Sequence, residues 1–181
     1  MDTNIGAKER VTQERLIGLF QSVLKYDYLG NWEYRKGNGN VEEALLRRYL
    51  KRQKYADKEI DKAVAKFKQA AANIGAGLYN ANREVYTLLR YGVNVQSDVS
   101  ERKKTVHLIN WTNPMENDFQ IAEEVTVQGK NECRPDLVVY VNGIAVAVIE
   151  LKRSTVSVHE GIRQNIHNQQ DEYIPRFFTT V

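Results

Sequence analysis

Between its flanking arginines the apolar stretch RPDLVVYVNGIAVAVIELKR (Arg134–Arg153) carries three charged side chains: Asp136, Glu150 and Lys152. Strands this apolar are normally buried, and a buried charge must be paired, hydrogen-bonded or bound to a metal. Two carboxylates held close together repel each other unless a hard cation sits between them. Oxygen ligands of this kind suit Mg²⁺, which keeps several of its own waters. A lysine two residues beyond Glu150 could hold or deprotonate a metal-bound water, or stabilise charge on a phosphate. Metal-assisted hydrolysis of a phosphodiester needs those parts: a Lewis acid, an oriented water and a positive group near the transition-state oxygens. The Glu-Leu-Lys triplet alone would equally fit a salt bridge at a sheet edge. The upstream Pro135-Asp136 and the same-face lysine favour the metal-site reading.

These residues need a hairpin to meet. Two apolar strands flank Asn142-Gly143, so folding brings Asp136 at one end to Glu150 at the other. Side chains alternate faces along a strand, which puts Glu150 and Lys152 on the face of Ile144, Val146 and Val148. A two-residue Asn142-Gly143 turn pairs Val141 with Ile144 and sends Asp136 to the wrong side, opposite Ile149. A three-residue loop, Val141-Asn142-Gly143, pairs Tyr140 with Ile144 and returns Asp136 to the Glu150 face, with Gly143 in the left-handed position of a turn-plus-bulge. The chemistry therefore requires a bulge at Gly143 or a compensating bulge within either strand. Both faces of the hairpin are apolar, so its strands are expected to be central in a sheet covered on both sides.

Helical periodicity predicts a first helix over Thr12–Lys25, with Leu16, Leu19, Phe20, Val23 and Leu24 inward and Thr12 as N-cap. Helices follow over Val41–Lys54 (Ala44, Leu45, Tyr49, Leu50 inward), Asp57–Ala71 (Ile60, Val64, Phe67 inward) and Leu78–Tyr91, the last capped by Gly92. Gly75 or Gly77 is expected to cap the third helix. Between Arg47 and Lys68 nine basic residues face three acidic ones; this reads as a solvated surface, with a phosphate-contacting patch as the alternative. Strands are expected over Val106–Trp111, Phe119–Val127 and Arg176–Val181. Ser157 begins a further helix with a capping-box pattern to Glu160. That helix carries a thin stripe of Val158, Ile162 and Ile166 opposite a side rich in uncharged polar groups.

The chain has 181 residues, 42% hydrophobic and 27% charged, a globular balance for one domain. Its net charge of +3 and pI near 8.9 permit an acidic partner without requiring one. The single cysteine, Cys133, forbids an internal disulfide and fits a reducing, cytoplasmic compartment. No apolar run approaches the ~18 residues of a membrane span. His107, His159 and His167 lack metal-ligand spacing and read as structural or surface residues. An apolar strand as the last segment suggests a fragment of a longer polypeptide.

Pro135-Asp136 followed by Glu150-Leu151-Lys152 resembles the signature of the PD-(D/E)xK nuclease superfamily. The wider stretch from Asn117 to Ser154, followed by GIRQNIHNQQDEYIPRFFTTV, resembles the N-terminal nuclease domain of the restriction (R) subunit of type I restriction–modification enzymes. The upstream TQERLIGLFQSVLKYDYLGNW and LLRYGV…HLINW resemble it too. The resemblance implies an α/β restriction-endonuclease-like core, with a mixed sheet flanked by the first helix and the Ser157 helix. It implies one nuclease domain over residues 1–181, with a helical insertion at about 41–75 and the catalytic core at 119–181. It further implies Mg²⁺-dependent endonucleolytic cleavage of double-stranded DNA. Asp136 and Glu150 would be the metal ligands with the Leu151 carbonyl, and Lys152 the catalytic lysine. Many such subunits carry Gln-x-x-x-Tyr on the following helix; here Gln164 fits as an auxiliary active-site residue, but the tyrosine position is Asn168. Some superfamily members use a first-helix glutamate, for which Glu14 is the candidate. Partners implied for the complete subunit are duplex DNA and the methylation and specificity subunits. ATP belongs to a downstream motor, since no Gly-x-x-x-x-Gly-Lys-Ser/Thr motif occurs in these residues. The alternative is a non-cleaving DNA-binding or subunit-docking module of the same assembly.

Overall fold

The computed structural model describes residues 5–96, 102–152 and 157–181. Among them the chain runs α1 (Ile5–Ser22), β1 (Asp27–Asn31), α2 (Glu43–Arg52), α3 (Asp57–Ala72), α4 (Leu78–Tyr91), β2 (Val93–Val95), β3 (Lys104–Val106), β4 (Phe119–Glu123), β5 (Leu137–Val141), β6 (Ile144–Ile149) and α5 (Val158–Asn168), with short 3-10 segments at Pro114–Glu116 and Pro175–Thr179. The sequence also predicts an extended segment over Gly92–Val99 and a charged turn at 101–104; residues 97–101 of these, and Arg153 at the end of the apolar stretch, lie outside the described residues.

The frame is α/β. A mixed sheet has the order β1-β4-β5-β6, with β1 parallel to β4 and the other pairs antiparallel. Period-two alternation divides its side chains between two layers. Ile121, Leu137, Ile149 and Leu151 meet Leu16, Ile17 and Phe20 of α1. Ala122, Val138, Tyr140, Ala145 and Val148 face the opposite way, into a cluster with Trp32, Phe177 and Phe178. The expectation of two central strands holds for β5 only. β6 is the sheet edge, touched from outside by a single bridge between Val41 and Ile144.

A third cluster joins α2, α3 and α4 to the β2–β3 hairpin. Ile60, Val64 and Phe67 are buried as their spacing predicts. In α2 the buried set is Leu46, Tyr49 and Leu50, and Ala44 is exposed. Several local expectations fail for physical reasons. Thr12 lies inside α1, which already runs from Ile5; Leu19 is exposed because the narrow sheet covers only part of the helix, and Val23 and Leu24, also exposed, lie beyond its end at Ser22. Asn73 ends α3, and Gly77 precedes α4 instead. The strand expected to reach Trp111 stops at Val106, and farther on the Asn110 side chain accepts hydrogen bonds from the amides of Thr112 and Asn113 and turns the chain. β4 stops at Glu123 because Glu124 is left-handed, at φ 50°. The apolar segment after Pro175 is a 3-10 helix rather than a strand. Its Phe177 and Phe178 fill the core, and Thr179 Oγ1 donates to the Ala71 carbonyl at 2.7 Å.

Candidate active site

The β5–β6 turn is built on two left-handed residues, Asn142 at φ 53° and Gly143 at φ 79°. Asn142 tolerates that backbone because its buried side chain is saturated. It donates to the Leu108 carbonyl and to Asn117 Oδ1, and accepts from the Asp118 amide. Gly143 is required: a Cβ there would lie 2.6 Å from Leu45 Cβ and 2.7 Å from the Glu42 carbonyl oxygen. Val141 therefore pairs with Ile144, and the three-residue loop does not form.

Left uncorrected, that register would separate the two acids. The correction sits inside β6. Tyr140 pairs with Ala145, but Val139 pairs with Ala147, so Val146 is an extra residue. Beyond this bulge Val138 faces Val148 and Leu137 faces Ile149. Asp136 and Glu150 come next, as cross-strand neighbours on the Val138–Val148 face. The bulge also overturns one expectation: Ile144 shares no face with Glu150, but packs into the helical cluster.

The two carboxylates are held differently. Asp136 Oδ2 accepts from the Leu151 amide at 2.5 Å. Glu150 Oε2 accepts from Gln164 Nε2 of α5 at 3.1 Å, whereas Glu150 Oε1 is buried with no hydrogen-bond partner. Burial pushes the Glu150 carboxyl up to about 7; the neighbouring Asp136 charge adds to the rise and Lys152 opposes it. The aliphatic stem of Lys152 runs along Gly161 of α5, where a Cβ would touch its Cγ at 3.4 Å. Leu151, between Glu150 and Lys152, packs on the α1 side. Alternation thus turns both flanking charges toward α5. Among the described residues, no group of three or more His, Cys, Asp or Glu is placed to hold a metal, so the protein donors available are the two carboxylates and backbone oxygen.

Sequence reasoning missed the residues on the other side of Asp136. Glu123 and Glu124 are adjacent in sequence and should face opposite ways. The left-handed backbone at Glu124 brings both onto Gln13 of α1, whose Nε2 donates to each at 3.1 Å. Arg134 Nε meets Glu124 at 3.0 Å, and its Nη1 pairs with Glu33. These groups line a cleft of about 370 Å³ that also includes Asp136 and Glu14. Glu14 reaches that cleft from α1, with its Oε1 bonded to Arg10 Nε at 3.1 Å. The buried contact from α1 is Gln13, one residue earlier. No periodic signal marks a buried glutamine or a left-handed glutamate in advance.

Cys133 is buried, and burial raises its thiol above the usual range. Asn168, at the expected tyrosine position, is buried and accepts from Cys133 Sγ at 3.4 Å. Tyr173 stacks on His167 with ring centroids 4.1 Å apart. In the basic helices, Arg47, Arg48, Lys51, Arg52 and Lys68 pair with carboxylates of this chain, and Lys62 and Lys66 bond backbone carbonyls. That favours the solvated-surface reading of α2 and α3. No helix among the described residues is long and apolar enough to cross a membrane.

Comparison with known proteins gives a family model, "Type I restriction enzyme R protein N terminus", that matches residues 6–181. A protein of Methanocaldococcus jannaschii named "Putative type I restriction enzyme MjaIXP endonuclease subunit" is 28% identical over 154 residues, covering 81% of this chain and 15% of that protein. A second from the same organism, named likewise for MjaVIIIP, is 27% identical over 134 residues, covering 70% of this chain and 12% of that protein. The chain thus spans less than a fifth of the length of these relatives.

Proposed function

The chain belongs to the family of type I restriction enzyme R protein N termini, and from that premise we propose that it is the nuclease module of such an enzyme, cutting double-stranded DNA with Mg²⁺ on a PD-(D/E)xK core. The observation that carries this reading is the Asp136–Glu150 pair. Two partly buried carboxylates share a face, and one oxygen of Glu150 is fully buried with no hydrogen-bond partner. Burying that arrangement is unfavourable unless a cation or a proton compensates it. Two carboxylates and the Leu151 carbonyl suit Mg²⁺, which needs few protein ligands and retains water. Bound there, Mg²⁺ would supply Lewis-acid polarisation of the scissile phosphate and a more acidic water.

The chain's own residues do the rest. The Leu151 amide fixes Asp136. Gln164 fixes one oxygen of Glu150 and leaves the other directed inward. Lys152, its stem laid along Gly161, carries positive charge to the phosphate oxygens where negative charge develops. In the complete subunit, duplex DNA would be delivered by an ATP-driven motor, with the methylation and specificity subunits as partners.

Calorimetric titration with Mn²⁺ or Mg²⁺ tests the site. Heat is expected for the wild type and none for Asp136→Ala; equal heats from both would remove the metal claim. In the assembled enzyme, Lys152→Ala is expected to lower cleavage by about 100-fold or more. Full retention of cleavage would favour a non-cutting module.

A further inference from the structure

Gln164 meets Glu150 only if α5 is held at the correct height and rotation, yet its outer face gives little hold. Val158, Ile162 and Ile166 are all exposed. The helix is instead anchored at its C-terminal end, to the loop that leads from β4 into Asp136. Asn168 lies one turn beyond Gln164 on the same face. Its Oδ1 accepts from Cys133 Sγ, and its main-chain carbonyl accepts from the Ile174 amide at 3.1 Å. The next residues repeat the contact. The Asn131 amide donates to the Glu172 carbonyl at 3.0 Å, and the Lys130 amide to the Tyr173 carbonyl at 3.3 Å. At Gly129 the approach is closer still, since a Cβ there would fall 1.9 Å from the Tyr173 carbonyl oxygen.

We propose that Asn168 is a positioning residue: through its side-chain contact with Cys133 it docks α5 against the 129–133 loop and so sets Gln164 on Glu150. The loop that carries Asp136 and the helix that carries Gln164 are then one braced unit, and the two carboxylates are oriented together. A buried amide paired with a buried thiol is suited to this, because slipping the helix would leave both unsatisfied. The role rests on reading Glu150 as part of the site, but its geometry is independent of any metal.

The test uses the 181-residue chain and the side-chain amide resonance of Gln164, assigned by its loss in Gln164→Glu and read without divalent ions. Asn168→Ala is expected to move that resonance to the position of a solvent-exposed glutamine while the amide spectrum stays dispersed. Cys133→Ala should move it the same way. Cys133→Ser, whose hydroxyl can still donate to Asn168, should restore it; this pair decides the matter if Asn168→Ala does not fold. An unmoved Gln164 resonance in folded Asn168→Ala, or in Cys133→Ala, overturns the proposal. Mn²⁺ titration separates this from the wider reading. If the site binds metal, Asn168→Ala should weaken it about tenfold, as loss of an outer support does, and unchanged affinity counts against the positioning role. If the wild type binds no metal, the metal reading fails while the Gln164 resonance still decides the role of Asn168.

Discussion

Asp136 and Glu150 stand side by side on one face of the sheet because a single residue, Val146, has no partner across the β5–β6 ladder. The turn alone would have put them on opposite faces. Deleting Val146 is therefore expected to give a regular ladder in which Val139 still pairs with Ala147 and Asp136 still stands opposite Glu150, because only the unpaired residue is removed. The deletion should keep the heat of Mn²⁺ binding, whereas inserting one alanine after Val148 should abolish it and lower the thermal midpoint, because a one-residue slip exchanges the two faces of everything beyond it. Heat lost on the deletion, or kept on the insertion, would mean that the pairing of β5 with β6 does not set the pair.

Glu150 makes stability fall as pH rises. Its carboxyl is raised from the ordinary 4.5 to about 7 in the folded chain. Between those values the folded state keeps a proton that the unfolded state has released, so unfolding becomes easier with increasing pH. The loss should be on the order of 1–2 kcal/mol after allowing for solvent screening of a partly exposed group. Urea midpoints measured from pH 4.5 to 7.5 should fall more for the wild type than for Glu150→Gln. Parallel curves would show that Glu150 is not held in a raised state.

Gly143 has no tolerated substitute. Alanine there must adopt φ near 79° and also displace Leu45 and the backbone at Glu42. Gly143→Ala should cost about 2–4 kcal/mol in urea denaturation. A cost under about 0.5 kcal/mol would show that the turn relaxes freely.

The basic helices should matter little for DNA. Arg47 and Lys68 share Glu43, and Arg47 also reaches Asp61. Replacing Arg47 and Lys68 with glutamine should change stability by less than about 1 kcal/mol. The salt dependence of DNA binding by the assembled enzyme should keep its slope; a slope reduced by about one per residue replaced would assign these side chains to phosphates.

Composition and local pattern were enough to pick out Asp136, Glu150 and Lys152, because charge inside apolar strands is conspicuous whatever the fold. Periodicity also located α3 and α4 closely, since their buried stripes lie within the helices themselves. The sequence likewise required an irregularity in the hairpin, but it could not choose between Gly143 and the strand. That choice depended on Leu45 and Glu42 crowding the turn and on Asn117 and Leu108 satisfying Asn142, contacts from distant parts of the chain. Tertiary structure alone brought Gln13 to Glu123 and Glu124, and Asn168 to Cys133. It also turned the apolar C-terminal segment into a 3-10 helix, because the space left for Phe177 and Phe178 lies under the sheet rather than along its edge. Local sequence fixes which groups cannot be left alone in a core; only the packed chain determines which partners reach them.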